Sequence, residues 1–187
     1  MIQRKKINKK KSKGEITDRQ ILEQIIRVDH AGEYSATRIY EGQIFVFGEN
    51  TKIGKIIRHM ADQEQEHIEK FQELIVTERV RPTVLLPLWS IAGYALGAGT
   101  ALMGEKAAMA CTVAVEKVIG EHYQKQITLL QQDQKKLKST IKKFAADELE
   151  HHDIGIAHDA ESATGYRVLT KIIEIGCKAA IAVSKKI

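Results

Sequence analysis

Cysteine is scarce in this sequence. Cys111 and Cys177 are the only two in 187 residues, too few for a disulfide framework or a thiolate zinc site, and both sit in apolar surroundings. They are expected to be reduced, buried thiols in a cytosol-facing domain. Proline is equally rare, with two residues, and aromatics make up 5% of the chain. That composition argues against a sandwich or barrel cut up by turns. A hydrophobic fraction of 43% excludes wholesale disorder. The abundance lies in Ala, Glu, Lys, Ile and Leu, the residues of a helical protein, and the length suits one domain.

Acidic residues are missing from residues 1–13, MIQRKKINKKKSK, which hold seven of the 29 basic residues. The remainder has 22 basic against 24 acidic residues, so a body of net charge −2 underlies the overall +5. No apolar segment follows, so the tail reads as neither a secretory signal nor, with its one serine, a transit peptide. Residues 1–16 are expected to be a disordered, solvated tail, with docking on anionic lipid as the second reading. No extended basic face remains for nucleic acid.

Long hydrophobic runs are missing with one exception. Residues 82–104, PTVLLPLWSIAGYALGAGTALMG, carry no charge and match the roughly 20 apolar residues that cross a bilayer core. Pro87, four glycines, Ser90 and two threonines weaken a spanning helix. The expectation is a monotopic insertion in which Leu85, Leu86, Leu88, Trp89, Ile91 and Leu96 dip into one leaflet with Trp89 at the interface; lining the bundle interior is the alternative. Elsewhere apolar residues recur at three and four. Residues 18–47 form an amphipathic helix with Thr17 or Asp18 as N-cap, and a turn follows at Gly48-Glu49-Asn50-Thr51. A second helix runs from about 52 to 79, before Arg81-Pro82. Helical stretches cover about 105–130 and 134–162, separated near Gln131-Gln132-Asp133, and a shorter one runs from Gly165 to Ser184.

Glutamate and histidine carry the chemistry. Glu64-x-x-His67 and Glu148-x-x-His151 each place a carboxylate and an imidazole on one helix face, within reach of one cation. With 17 Glu and 7 His in the chain, two such pairs are weak evidence alone. An internal repeat strengthens them. At an offset of 83, Glu33 falls on Glu116, Tyr40 on Tyr123, Gln43 on Gln126 and Ile44 on Ile127; at 84, Glu64, Glu66 and His67 fall on Glu148, Glu150 and His151. Midpoints between the paired glutamates lie in the two turns, so each half is an antiparallel hairpin whose ligands return to one height. Two hairpins face to face gather Glu33, Glu64, His67, Glu116, Glu148 and His151 in one core. An unpaired buried ion costs several kcal/mol, so four buried carboxylates require cations, and two divalent metals supply them. This layout is that of ferritin-like di-iron and di-manganese bundles, with donors that favour Fe(II) or Mn(II). The expected fold is all-α: a ferritin-like four-helix bundle of two helical hairpins within residues 17–187, plus an additional C-terminal helix.

Four stretches, RVDHAGEYSATRIYEGQ (27–43), MADQEQEHIEKF (60–71), ACTVAVEKVIGEHYQKQI (110–127) and DELEHHDIGIAHDAE (147–161), resemble in order the demethoxyubiquinone hydroxylase family of ubiquinone biosynthesis. The resemblance extends from about residue 18 to the C-terminus. It implies the same six metal ligands, two iron ions per chain bridged by carboxylate, and a monooxygenase that uses O2 to hydroxylate the ring of a demethoxyubiquinol. It also implies a polyprenyl quinol substrate and peripheral attachment to the cytoplasmic face of a bacterial membrane, or the matrix face of a mitochondrial one. A homo-oligomer or a ubiquinone-biosynthesis partner belongs to the same expectation, and the reductant is left open. Ser35 stands where a Gly is expected after Glu-Tyr, and Lys117 where a second Glu is expected after Glu116. The alternative reading is a ferroxidase or iron-handling protein of the same fold; a helical membrane-associated adaptor is the third. The uncharged 82–104 stretch favours the hydroxylase.

Around this core, His152 also shares a face with Glu148, but the repeat selects His151. His30, three residues before Glu33, has Val113 as its counterpart and is expected at the surface or behind the ligands. Asp147 is expected to accept from a ligand histidine of a neighbouring helix. Tyr40, Tyr123 and His122 are the candidate catalytic residues, for proton or electron relay or a hydrogen bond to the quinone head, against a packing role for the tyrosines. Gly93, Gly97, Gly99 and Gly104 form no dinucleotide fingerprint, since Leu102 stands where the last small residue belongs.

Overall fold

A computed structural model describes residues 17–131 and 134–187, so the expectations for the basic tail and for Gln132-Asp133 lie outside the described residues. Those residues form six α-helices and no strand: α1 (Asp18–Phe47), α2 (Lys52–Thr77), α3 (Leu86–Leu102), α4 (Glu105–Leu129), α5 (Lys135–Ala157) and α6 (Tyr166–Ser184), with a 3-10 turn at Ala160–Ser162. Thr17 caps α1 in a reciprocal box with Gln20, and the Thr51 side chain caps α2 through the Gly54 N–H. Helix α2 stops at Thr77, short of the expected 79, because Arg79 takes left-handed backbone (φ 51) ahead of Pro82. Pro87 sits in the first turn of α3, where its missing N–H leaves no bond unmade. Gly104, with φ 108, separates α3 from α4. Helix α5 ends at Ala157 rather than near 162: Asp159 turns left-handed (φ 61), and the 3-10 turn and Gly165 (φ 70) lead into α6.

The fold is an all-α, ferritin-like bundle. Hairpins α1–α2 and α4–α5 pack face to face, α3 covers α1 and α6 covers α4, so two helices rather than the one expected are added to the four. One apolar cluster gathers Tyr40, Ile44, Ile57, Met60 and Met109; a second gathers Ile25, Phe71, Tyr123, Ile141 and Phe144. The helix centres between these clusters carry the polar core.

The two added helices pack differently. A Cβ at Gly97 would overlap the Ile39 carbonyl, one at Gly42 the Tyr94 carbonyl, and one at Gly93 would lie 2.8 Å from the Ser35 carbonyl oxygen. Helix α3 thus lies directly on the α1 backbone. Gly176 of α6, by contrast, is exposed and faces open space. The residues expected to enter a leaflet are accordingly divided. Leu88 and Ile91 are exposed, whereas Leu96 packs against Ile39, Cys111 and Ile173. Trp89 is turned toward the body, its Nε1 donating to Ser184 Oγ at 3.1 Å. Among the described residues, no helix is long and apolar enough to cross a membrane.

Candidate metal centre

Glu33 lies on α1, Glu64 and His67 on α2, Glu116 on α4, and Glu148 and His151 on α5; all six are at most 2% exposed. His67 Nδ1 is 3.3 Å from Glu33 Oε2, 3.6 Å from Glu64 Oε2 and 3.4 Å from Glu148 Oε1. His151 Nδ1 is 3.1 Å from Glu64 Oε1 and 3.6 Å from Glu148 Oε2. Glu64 and Glu148 therefore turn one oxygen toward each histidine. The six residues form two overlapping groups, Glu33-Glu64-His67-Glu148 and Glu64-Glu116-Glu148-His151, with the donor atoms of each within 4.8 Å of one another. The geometry is that of two cation positions sharing two carboxylates, a sharing that helix-face arithmetic does not show.

Eight side-chain atoms of these residues have no hydrogen-bond partner: Glu33 Oε2, both oxygens of Glu64 and of Glu148, Glu116 Oε2, and Nδ1 of His67 and His151. Leaving so many buried polar atoms unmatched is costly, and divalent cations between them would match them all. Cys111 packs in the separate Ile39 cluster, its thiol pushed up to about 12 by burial. The donor set is thus carboxylate and imidazole alone.

Crossed pairs hold this set in place. His67 Nε2 on α2 lies 3.1 Å from Asp147 Oδ2 on α5, the contact expected for Asp147, and His151 Nε2 on α5 lies 3.0 Å from Gln63 Oε1 on α2. Acceptors at both Nε2 atoms hold a proton there and turn each Nδ1 toward the centre, where its lone pair becomes available once a cation displaces the proton. Gln63 escaped the sequence reading, although the offset of 84 carries it onto Asp147. The tyrosines cross as well: Tyr40 donates to Glu116 Oε1 at 2.7 Å, and Tyr123 donates to Glu33 Oε1. His152 pairs with Asp153 near the surface and His30 lies in a shallow recess beside Tyr34 and Gln72; neither joins the two groups.

Burial, then repulsion from Glu64 and Glu148, raises the Glu33 carboxyl well above its ordinary range, and burial with Glu148 and Glu64 does the same to Glu116. Burial also works to raise Glu64, but the facing His151 and His67 rings outweigh it and hold Glu64 low. Burial disfavours both imidazolium ions, yet the facing carboxylates prevail; His67 lies above its ordinary value and His151 is raised to about 9. The metal-free centre thus balances its charge with protons, which cations displace on binding.

A family described as "Ubiquinone biosynthesis protein COQ7" matches residues 20–184. The chain belongs to the COQ7 family. The mitochondrial NADPH-dependent 3-demethoxyubiquinone 3-hydroxylase of Homo sapiens is 57% identical to it over 173 residues, covering 90% of this chain and 79% of that protein. The 3-demethoxyubiquinol 3-hydroxylase of Rhodospirillum rubrum is 48% identical over 167 residues (89% and 79%), and the mitochondrial 5-demethoxyubiquinone hydroxylase of Saccharomyces cerevisiae 43% identical over 176 (86% and 76%). As a COQ7 protein the chain is an enzyme, a hydroxylase of ubiquinone biosynthesis, and the ferroxidase and adaptor alternatives fall away.

Ser35 and Lys117, which stand where a Gly and a second Glu were expected, both lie off the centre. Ser35 Oγ bonds back to the Ala31 carbonyl at 2.7 Å, and Lys117 Nζ pairs with Glu174 of α6 at 2.7 Å. This COQ7 chain also has an apolar cavity of about 90 Å³ between α1 and α4, roofed by α6 and Trp89 and reaching Glu33 and Tyr123. Asp29 and His122 face it. Asp29, 3% exposed, accepts from Gln126 Nε2 at 2.6 Å and lies 3.7 Å from His122 Nε2, while its Oδ2 has no partner. Burial raises the Asp29 carboxyl well above its ordinary range; burial, then Lys185 and Lys125, lowers His122 to about 4. His122 is therefore neutral at pH 7, and burial favours the protonated form of Asp29. His122 was marked by its place beside Tyr123, but Asp29 was missed, since its repeat counterpart is Thr112 and no motif singles it out.

Proposed function

We propose that this COQ7 chain hydroxylates the ring of a demethoxyubiquinol with O2, using two iron ions held by Glu33, Glu64, His67, Glu116, Glu148 and His151. The observation that carries this reading is the convergence of eight partnerless buried donor atoms beside an apolar cavity. When bound, the iron pair supplies O2 activation and redox chemistry that side chains lack. One oxygen atom becomes the ring hydroxyl and the other leaves as water, so each turnover consumes two electrons and two protons from a reductant. The name of the human relative specifies NADPH; in this chain Gly93 and Gly97 are occupied in seating α3 on α1 and cradle no phosphate.

The chain's own residues do the rest. Val28, Ile39, Val115 and Ile119 keep the cavity dry. Tyr123 fixes Glu33 where the cavity meets the centre. Neutral His122 and Asp29, whose burial favours the protonated form, exchange hydrogen bonds with a quinol hydroxyl. A cavity of about 90 Å³ is smaller than the roughly 150 Å³ that holds benzene in an engineered core. The ring is therefore admitted only when α6 and Trp89 part, and the Trp89–Ser184 bond is the seam. Exposed Val84, Leu88 and Ile91, and exposed Val183 of α6, support peripheral attachment to the membrane that holds the polyprenyl quinol.

The test is product formation from demethoxyubiquinol by iron-loaded protein, with oxygen from labelled O2 found in the ring. Glu116→Ala and Glu148→Ala are each expected to abolish product while the helical circular dichroism persists; full activity in either overturns the assignment. Tyr123→Phe is expected to keep its iron and lose at least tenfold in turnover. Unchanged turnover would return Tyr123 to a packing role.

A further inference from the structure

We propose that iron reaches the centre through a second passage, separate from the apolar cavity and edged with carboxylate, amide and imidazole side chains beside Ala145 and Leu149, and that Gly120 keeps this passage open. The inference rests on the metal centre proposed above. A cleft of about 250 Å³ opens between α4 and α5, and its lining includes Glu116 and Glu148 together with Gly120, Glu121, Gln124 and His152. Glu116 Oε2 and both Glu148 oxygens, on residues 2% and 0% exposed, have no hydrogen-bond partner. The cleft thus leads from solvent to unmatched donors of the centre itself. Its volume exceeds several times the roughly 30 Å³ of a water molecule, so a cation can travel with part of its hydration shell.

The walls suit that traffic. Glu121, Gln124 and His152 offer oxygen and nitrogen donors along the way, with Glu121 also 3.7 Å from Lys178. Lys117 stands in the lining, where a free ammonium would repel a cation. It is drawn onto Glu174 of α6 at 2.7 Å, which neutralises it. The apolar cavity offers no comparable route, because a divalent ion would have to shed its water there.

Gly120 is the unusual residue. It lies inside helix α4, where glycine is disfavoured against alanine by about 0.5–1 kcal/mol. Its backbone needs no glycine, since it is not among the positive-φ residues. A Cβ there would meet nothing within 4 Å. What the glycine provides is a stretch of wall without a side chain in the cleft that Glu116 and Glu148 also line.

Metal-free full-length protein mixed with Co(II) tests this, uptake being followed by visible absorption in a stopped-flow instrument. The native protein is expected to take up two equivalents. Gly120→Phe is expected to slow uptake at least tenfold while reaching the same final stoichiometry and spectrum. Gln124→Lys, which adds a cation without filling the cleft, is expected to slow it severalfold, with the difference vanishing at high salt. Ala180→Phe, which fills the apolar cavity instead, is expected to leave the rate as it was. Native rates in both Gly120→Phe and Gln124→Lys, or equal slowing by Ala180→Phe, would overturn the passage. If Gly120→Phe does not fold, Gln124→Lys decides alone. Failure of the native protein to bind Co(II) would overturn the metal centre rather than the route.

Discussion

Gln63 and Asp147 hold equivalent places behind the two histidines, yet one is an amide and the other a carboxylate. A carboxylate makes its imidazole the more basic donor, so the cation position at His67 is expected to be the tighter of the two. Asp147→Asn is expected to weaken that position by about 10–100-fold and leave the other nearly unchanged; chelator-competition titration of the two binding steps checks this. Asp29 gives a second expectation. Its folded pKa lies above its unfolded value, so the stability it contributes is full below the ordinary carboxylate range and lost as pH rises through the folded value. Asp29→Asn keeps an acceptor for Gln126 and removes that loss. It is expected to raise the melting temperature by several degrees at alkaline pH, with the gain shrinking as the pH is lowered. The convergence of Glu33, Glu64, His67, Glu116, Glu148 and His151 was legible because a repeat restricts which acids can share a height. Gln63 and Asp29 were not, because a lone Gln or Asp on a helix is ordinarily solvated and only tertiary packing makes it a partner.

Among the helices, α3 shows how far small residues decide packing. Gly97→Ala would add a methyl where the Ile39 carbonyl already sits. It is expected to destabilise the protein by about 1–3 kcal/mol through overpacking, although alanine is the better helix former by about 1 kcal/mol. Gly120→Ala, facing open space, is expected to raise the melting temperature instead, and thermal unfolding of the two variants side by side checks both signs. The start of α1 was readable from capping chemistry as Thr17 or Asp18, and that of α2 from the turn that ends at Thr51. The ends of α2 and α5 were not, because Arg79 and Asp159 adopt left-handed backbone without being glycine. The uncharged stretch 82–104 could be located but not oriented: with apolar residues on every side, periodicity does not say that Leu88 faces out while Leu96 faces in.

At the scale of the whole molecule, the apolar side chains Leu88 and Ile91 of α3 and Val183 of α6 are exposed, on the two helices that the Trp89–Ser184 bond joins. Changing all three to Glu is expected to lower co-sedimentation with phospholipid vesicles at least tenfold and to leave iron content unchanged; undiminished sedimentation would place the membrane contact elsewhere. The crossed pairs have a different consequence. Tyr40 and Gln63 of the first hairpin serve Glu116 and His151 of the second, and Tyr123 and Asp147 of the second serve Glu33 and His67 of the first. Neither hairpin can satisfy its own buried groups, so the protein has no stable half-folded state to fall back on. Amide protection in α1 and α2 should therefore vanish together with that in α4 and α5, and the metals should leave in the same all-or-none event.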